Sequence, residues 1–406
     1  MPGSIRIRMY NVGFGDCFLV FLPSDQGERK VLIDCGSIKK KRHSIDKIST
    51  QLISEITDPD GVPRVDILIL SHRHKDHLSG FDEARWAAVE VGEVWMPWIE
   101  SPTDPEARQI RREQVRAATA LRRAAFAFNN SESLLEIANN ALDGASELEV
   151  VRSGFAKRVT PRYLPEGTDT VEKISTPLLP GIEIFALGPP RNRDALNQPD
   201  PPTEQTMLSG FLVVPDGTNP EKRFQPFGPD WVLDYPELIV DEEELREAAS
   251  MIDMYELAAA EIDADINNTS LILIFRVGDH YLLFPGDAQW GPWQLLLADE
   301  GAVELLKKVS FVKISHHASH NGSPKTLMRD VLGKENHFGG ALHAMISVTP
   351  RGGWPGIPHH PILQFLNDNE TPYVLSDAFR AQSNVQKKGD LWPGTGFGIT
   401  HRLRPN

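Results

Sequence analysis

Within six positions, Ser71-His72-Arg73-His74-Lys75-Asp76-His77 sets three imidazoles and a carboxylate close together in a chain that holds only 13 histidines. That mixture suits a borderline divalent cation such as zinc, and manganese or iron also accept it. Two further groups lie far along the chain, Asp287 in Leu283-Phe284-Pro285-Gly286-Asp287 and His316-His317 in Val312-Lys313-Ile314-Ser315-His316-His317. Read alone, a Gly-Asp after a strand is a turn and a His pair is partly solvated. Read with the first cluster, they complete two adjacent metal positions.

These groups must be positioned by strands. Ile5 to Asn11 alternates, and Cys17 to Leu22 and Lys30 to Ile33 are apolar runs, the latter ending at Asp34-Cys35-Gly36. Helical spacing covers Ile45 to Ile56, and the apolar strand Val65 to Leu70 runs directly into the histidine cluster. Pro105 to Leu142 is helical, with Arg108, Arg111, Arg112, Arg116, Arg122 and Arg123 outnumbering Glu106 and Glu113. A strand follows at Ile182 to Leu187, then a Pro-rich loop from Pro189 to Phe227 and an acidic helical segment from Tyr235 to Ile262. Strand signals resume at Ser270 to Val277, Tyr281 to Phe284, Phe311 to Ile314 and Ala344 to Val348. Ligand-type residues therefore fall at the carboxyl ends of strands in both halves, as expected for helix-covered sheets with a site along one edge. The expectation is one elaborated domain over residues 1–406, with insertions at about 100–180 and 189–262.

The chain has 406 residues, a formal charge of −14, 40% hydrophobic and 24% charged residues, all ordinary for a globular protein. The acidic balance argues against a protein that coats nucleic acid or anionic lipid broadly, so a polyanionic substrate needs a local positive site. No run has the length and apolarity of a membrane span and the first residues lack a secretory pattern, so the expected address is cytoplasmic. Cys17 and Cys35 are too few for a disulfide framework and read as buried thiols.

The order His72-x-His74-x-Asp76-His77, Gly286-Asp287, His316 resembles the metallo-β-lactamase fold of metallohydrolases. Asn11-Val12-Gly13-Phe14-Gly15-Asp16, Leu32-Ile33-Asp34-Cys35-Gly36, Asn267-Asn268-Thr269-Ser270-Leu271, His316-His317-Ala318-Ser319 and His360-Pro361 narrow the resemblance. They are similar to the soluble hydrolase domain of the ComEC/Rec2 DNA-uptake proteins, where the equivalents read roughly VGQGD, LIDTG, NNxS, HHGS and His-Pro. The likeness runs from Met9 to about Asp377.

The resemblance implies an αββα four-layer sandwich with two divalent metal ions, Zn2+ or Mn2+, at the edge between its sheets. By the same likeness His72 and His74 hold the first metal, Asp76, His77 and His316 the second, and Asp287 bridges them. Asp34 orients the ligands, and His317 is the alternative to His316. The family pattern has another His before the bridging Asp, whereas the only His between His77 and Asp287 here is His280, in a hairpin turn. Asn267 or Asn268 takes that place in the likeness, a harder and weaker donor that favours manganese or magnesium.

Two such metals activate water for hydrolysis, with Asp76 and Asp287 at the centre of the chemistry. His320 and His360 are the candidate acids for a leaving alkoxide, and Ser319 and Lys313 are candidate donors to a phosphodiester. The expected function is a metal-dependent phosphodiesterase or nuclease using a metal-bound hydroxide on single-stranded nucleic acid or another phosphodiester, with the Arg-rich helix as an aid. The alternatives are a carbon-ester, lactone or thioester hydrolase on the same site, and a degenerate scaffold whose insertions hold a protein partner.

Overall fold

The structure is a computed structural model that describes residues 4–38, 44–127, 132–207, 261–333, 342–348, 357–376, 392–393 and 398–403. Of the expected loop from Pro189 to Phe227, residues 208–227 lie outside the described residues, as does the acidic segment from Tyr235 to Ile262 except for its last two residues.

Two mixed sheets carry the described chain. The first contains β1 (Ile5–Tyr10), β2 (Cys17–Ser24), β3 (Gly27–Cys35), β4 (Arg64–Ile69), β5 (Glu90–Pro97), β6 (Arg162–Leu164), β14 (Trp392–Pro393) and β15 (Gly398–Leu403). Their order is β14-β15-β1-β2-β3-β4-β5-β6, antiparallel up to β3 and parallel beyond it. The second contains β7 (Glu172–Ile174), β8 (Glu183–Gly188), β9 (Ile272–Val277), β10 (His280–Phe284), β11 (Val309–Lys313), β12 (His343–Ile346) and β13 (Tyr373–Leu375). Its order is β13-β12-β11-β10-β9-β8-β7, parallel from β13 to β10 and antiparallel from there.

Alternate residues of both sheets meet in one core: Ile7, Met9, Phe18, Val20, Ile33, Ile67 and Trp95 from the first, Ile184, Phe275, Leu282, Phe284, Phe311 and Met345 from the second. The period of two sends the intervening side chains to the opposite faces. There Ile48, Leu52 and Ile56 of the helix Ile45–Ile56 cover the first sheet. Trp293 and Leu296 of Trp290–Ala298, with Ile362, Phe365 and Leu366 of His360–Asp368, cover the second. The architecture is thus the expected αββα sandwich, and no described helix is long and apolar enough to cross a membrane.

Parallel pairing aligns the carboxyl ends of β3 and β4, and of β10 and β11, which is where Asp34, His72, Asp287 and His317 emerge. Two glycines set how closely these ends approach. A Cβ on Gly36 would lie 2.4 Å from the Asp76 carbonyl carbon and the His77 nitrogen, and one on Gly15 would lie 2.4 Å from the Asp76 carbonyl oxygen. Neither space admits a side chain, so the Gly13-x-Gly15-Asp16 turn and the Asp34-Cys35-Gly36 turn lie against the backbone of the ligand loop. Asp16 N donates to Asp76 O at 3.1 Å and Gly36 N to Asp16 O at 3.0 Å.

Candidate metal centre

Asp76 and His77 sit on the single turn Lys75–Leu78 that follows β4, and both are buried. The His77 ring is held from both sides: Nδ1 lies 2.8 Å from Asp34 Oδ2, and Nε2 lies 3.1 Å from Asp287 Oδ2. Asp34 also accepts from Ser71 N at 2.7 Å and Ser71 Oγ at 2.6 Å, so one carboxylate fixes both the ligand loop and the ring. Its backbone is left-handed, at φ 57°, a conformation Asp tolerates better than most residues.

His316, His317 and Ala318 are also left-handed, at φ 45°, 53° and 64°. Consecutive residues in this region cost roughly 1–2 kcal/mol each, and such strain concentrates at functional positions. Here it separates the two histidines. His317 Nδ1 lies 2.8 Å from Ser347 O, which leaves Nε2 facing Asp287 Oδ2 at 3.2 Å and Asp76 Oδ2 at 3.5 Å. His316 turns away, with Nδ1 at 2.7 Å from Ser319 Oγ and 3.1 Å from Asn321 Oδ1. The expected grouping of Asp76 and His77 with His316 is therefore corrected, because His317 occupies that place.

Asp76, His77, Asp287 and His317 each offer a donor atom within 4.8 Å of the others, all buried. Asp76 Oδ1 has no hydrogen-bond partner, an orphaned buried acceptor that carries a desolvation penalty of ~1–3 kcal/mol, and His317 Nε2 meets the two carboxylates without a well-aligned hydrogen bond. Two carboxylates and two imidazoles converging with unsatisfied atoms fit a divalent cation.

The remaining predicted residues fall around this group. His72 Nε2 lies 3.0 Å from His74 Nδ1, so the two rings meet each other edge-on. Asn267 Oδ1 lies 2.9 Å from His74 Nδ1, whereas Asn268 is spent on the backbone, its Nδ2 donating to Leu196 O and Gln198 O and its Oδ1 accepting from Gln289 N. Asn268 is thus a structural residue and not a donor to a cation. His320 is exposed at the rim, 3.2 Å from Asp200 Oδ1. His360 is exposed at the start of its helix, and it is His359 whose ring lies 6.0 Å from that of His320, so the expected role of His360 is not supported by its position. Ser319 is spent on His316 and Asn321 and is not aimed at a substrate.

Lys313 is buried, and its ammonium contacts Asp16 Oδ2 at 2.5 Å, Asp287 Oδ1 at 2.7 Å and Gly286 O at 2.7 Å. Its three protons are committed, so it cannot bind substrate as expected; it neutralises the centre instead. It also claims Asp287 Oδ1, leaving Oδ2 as the oxygen through which Asp287 faces the histidines. Asp16 and Asp263 are the residues of the centre that sequence reasoning missed. The Gly-x-Gly-Asp turn signals Asp16, while Asp263 lies four residues before Asn267 in a helix over 261–267 with no motif of its own.

Electrostatics follow from this crowding. Burial pushes Asp76 up, but His77 and His317 outweigh it and hold the carboxyl at about 2. Asp287 is well below the carboxylate range despite burial, chiefly through Lys313 and His317. Burial opposes charge on His317, yet Asp287 and Asp76 carry its pKa to about 10, and His77 is likewise raised well above its ordinary value. Burial lowers His74 to about 4 and His316 to about 4. Asp263 rises to about 7 through burial and the nearby charges of Asp76 and Asp287.

A cation bound to Asp76, His77, Asp287 and His317 must expel the protons that the two raised imidazoles carry at neutral pH. Affinity for Mn2+ should therefore rise with pH between about 6 and 9, by roughly tenfold per unit for each proton released. Calorimetric titration across that range checks it, and a flat profile contradicts the assignment.

No family model matches the chain, and no curated protein does. Among solved structures it is similar to the metallo-β-lactamase fold protein YhfI from Bacillus subtilis, at 9% identity and a TM-score of 0.38, over 91% of this chain and 96% of that one. It is also similar to CmlA, a diiron β-hydroxylase from Streptomyces venezuelae, at 13% identity and a TM-score of 0.28, over 79% of this chain and 36% of that one. At these scores the likenesses identify neither a family nor an activity for this chain.

Proposed function

We propose that this protein is a metal-dependent hydrolase of phosphodiesters, with single-stranded nucleic acid as its leading substrate class and Zn2+ or Mn2+ as its cation. The observation that carries this reading is the convergence of Asp76, His77, Asp287 and His317 from three separate strand ends on one buried point. A divalent cation there supplies Lewis acidity toward a phosphoryl oxygen and acidifies water.

The chain's own residues do the rest. Asp34 keeps the proton of His77 on Nδ1, so Nε2 points into the centre as a lone-pair donor. Lys313 pins Asp287 in one orientation through Oδ1. Side-chain exposure is 4% at Asp76, 14% at His316, 22% at Asp263 and 48% at His320, so His320 is the most solvent-accessible of these four groups. His320, exposed and paired with Asp200, is the side chain we assign to give a proton to a departing alkoxide.

A basic surface that could hold a longer polyanion lies beside the centre, on the outer side of a neighbouring helix. Arg108, Arg112, Arg116 and Arg123 are exposed on the helix Pro105–Ala127, and the 100° step per residue sets them on one face. The opposite, buried face of that helix packs on the ligand loop, where Arg73, between His72 and His74, donates to Gln114 Oε1 at 2.7 Å. Basic side chains along such a face neutralise backbone phosphates.

Purified protein with Mn2+ or Zn2+ should cleave bis(p-nitrophenyl) phosphate and labelled single-stranded DNA. Cleavage of lactones or thioesters in place of both would overturn the substrate assignment, and inactivity toward every ester would overturn the enzyme assignment.

A further inference from the structure

We propose that Asp263 is the carboxylate ligand of a second cation position, shared with His74 and His316, so that the adjacent histidines 316 and 317 serve different cations. The inference rests on the metal reading of the Asp76, His77, Asp287 and His317 group and extends it to Asp263, which no motif marks.

The first observation is an orphan. His74 is 1% exposed, and its Nε2 has no hydrogen-bond partner. Its Nδ1 faces Asn267 Oδ1 at 2.9 Å, an oxygen that can only accept, so a proton shared there leaves Nε2 with a free lone pair. That lone pair faces Asp263 Oδ1 at 3.7 Å, beyond hydrogen-bond distance.

The second observation is a matching imidazole on the other side of the same carboxylate. His316 Nδ1 lies 2.7 Å from Ser319 Oγ, 3.1 Å from Asn321 Oδ1 and 3.1 Å from the Gln289 side-chain amide; with the proton on Nδ1 shared with either oxygen, Nε2 is left as the donor nitrogen, 4.0 Å from Asp263 Oδ2. Donor atoms on one cation with bonds of ~2.1 Å stand ~3.0–3.4 Å apart, so gaps of 3.7 and 4.0 Å need only a small inward adjustment.

Asn267 acts as the clamp. Its Oδ1 faces His74, and its Nδ2 donates to Asp263 Oδ2 at 2.8 Å and contacts His316 Nε2 at 3.3 Å. Asp263 and Asn267 are four residues apart on the helix over 261–267, so their side chains share a face. The asparagine expected to replace a missing third histidine thus orients the ligands, and the carboxylate one turn earlier supplies the donor. A carboxylate also brings negative charge that an imidazole would not, which favours a hard cation such as Mn2+.

The test is Mn2+ stoichiometry and affinity by equilibrium dialysis with elemental analysis, with folding followed by circular dichroism. The wild-type chain should bind two Mn2+. Asp263→Asn should bind one, or hold the second at least tenfold more weakly, and His316→Gln should do the same as an independent variant. Two Mn2+ bound with unchanged affinities in both variants would overturn the inference, as would a wild-type chain that binds only one. Absence of any bound Mn2+ would overturn both this inference and the reading it rests on.

Discussion

Asp287→Asn should lower phosphodiester cleavage by about a thousandfold or more, taking the charge stabilisation lost at a metal site as several kcal/mol and each 1.4 kcal/mol as tenfold. The reason is geometric. Asp287 Oδ2 is the oxygen common to His77 Nε2, at 3.1 Å, and His317 Nε2, at 3.2 Å. Removing its charge takes away the donor on which the other three converge. The side-chain shape survives in Asn, and an amide oxygen in place of Oδ1 still accepts from Lys313, so the fold should persist. Steady-state rates with saturating Mn2+, alongside an unchanged circular dichroism spectrum, decide the matter. A variant within about tenfold of wild type would mean that Asp287 is not at the reacting centre.

Lys313→Met should produce the largest loss of stability of any single change at the site. Removing one partner of a buried charge pair costs roughly 3–5 kcal/mol, because the other charge stays behind without compensation. Here two carboxylates stay behind, Asp16 and Asp287, each 2% exposed, and Gly286 O loses its donor. The denaturant midpoint should fall accordingly. Added Mn2+ should recover part of the loss by compensating Asp287, so the stabilisation by Mn2+ should be greater in Lys313→Met than in wild type. Asp16→Asn in the same background should also restore stability. A variant as stable as wild type, with the same response to Mn2+, would contradict the role of Lys313 as the counter-charge of the centre.

Much of this centre is legible in the sequence because ligand types recur at strand ends, and strands announce themselves by apolar runs. His72 to His77, Asp34 and Asp287 are of this kind, and so are β1 to β4 and β9 to β12. β5 was not legible: Glu90, Gly92 and Glu93 interrupt its pattern, and the two carboxylates are paired with cations far along the chain, Arg64 for Glu90 and Arg162 for Glu93. β15 was equally hidden, since its partner β1 lies at the opposite end of the sequence. The helix Trp290–Ala298 opens with Gly291 and Pro292, residue types that ordinarily punctuate a helix, yet Gly291 is needed because a Cβ there would lie 1.6 Å from Ala195 O.

The choice between His316 and His317 could not be read from residue types, because three consecutive left-handed residues decide where each ring points. Asp263 was hidden for another reason. In the sequence it is one acidic residue among several in Glu261-Ile262-Asp263-Ala264-Asp265, and only the packing of that helix against His74 and His316 distinguishes it. Lys313 reads as a free cation beside a histidine pair, but its contacts with Asp16 and Asp287 depend on the two sheets closing on each other.

The most direct measurement is anomalous diffraction from a crystal of the full chain grown or soaked with Mn2+. The account predicts a strong peak within bonding distance of Asp76, His77, Asp287 and His317. A well-occupied crystal with no peak among those four side chains, or with Mn2+ bound only elsewhere, would contradict it.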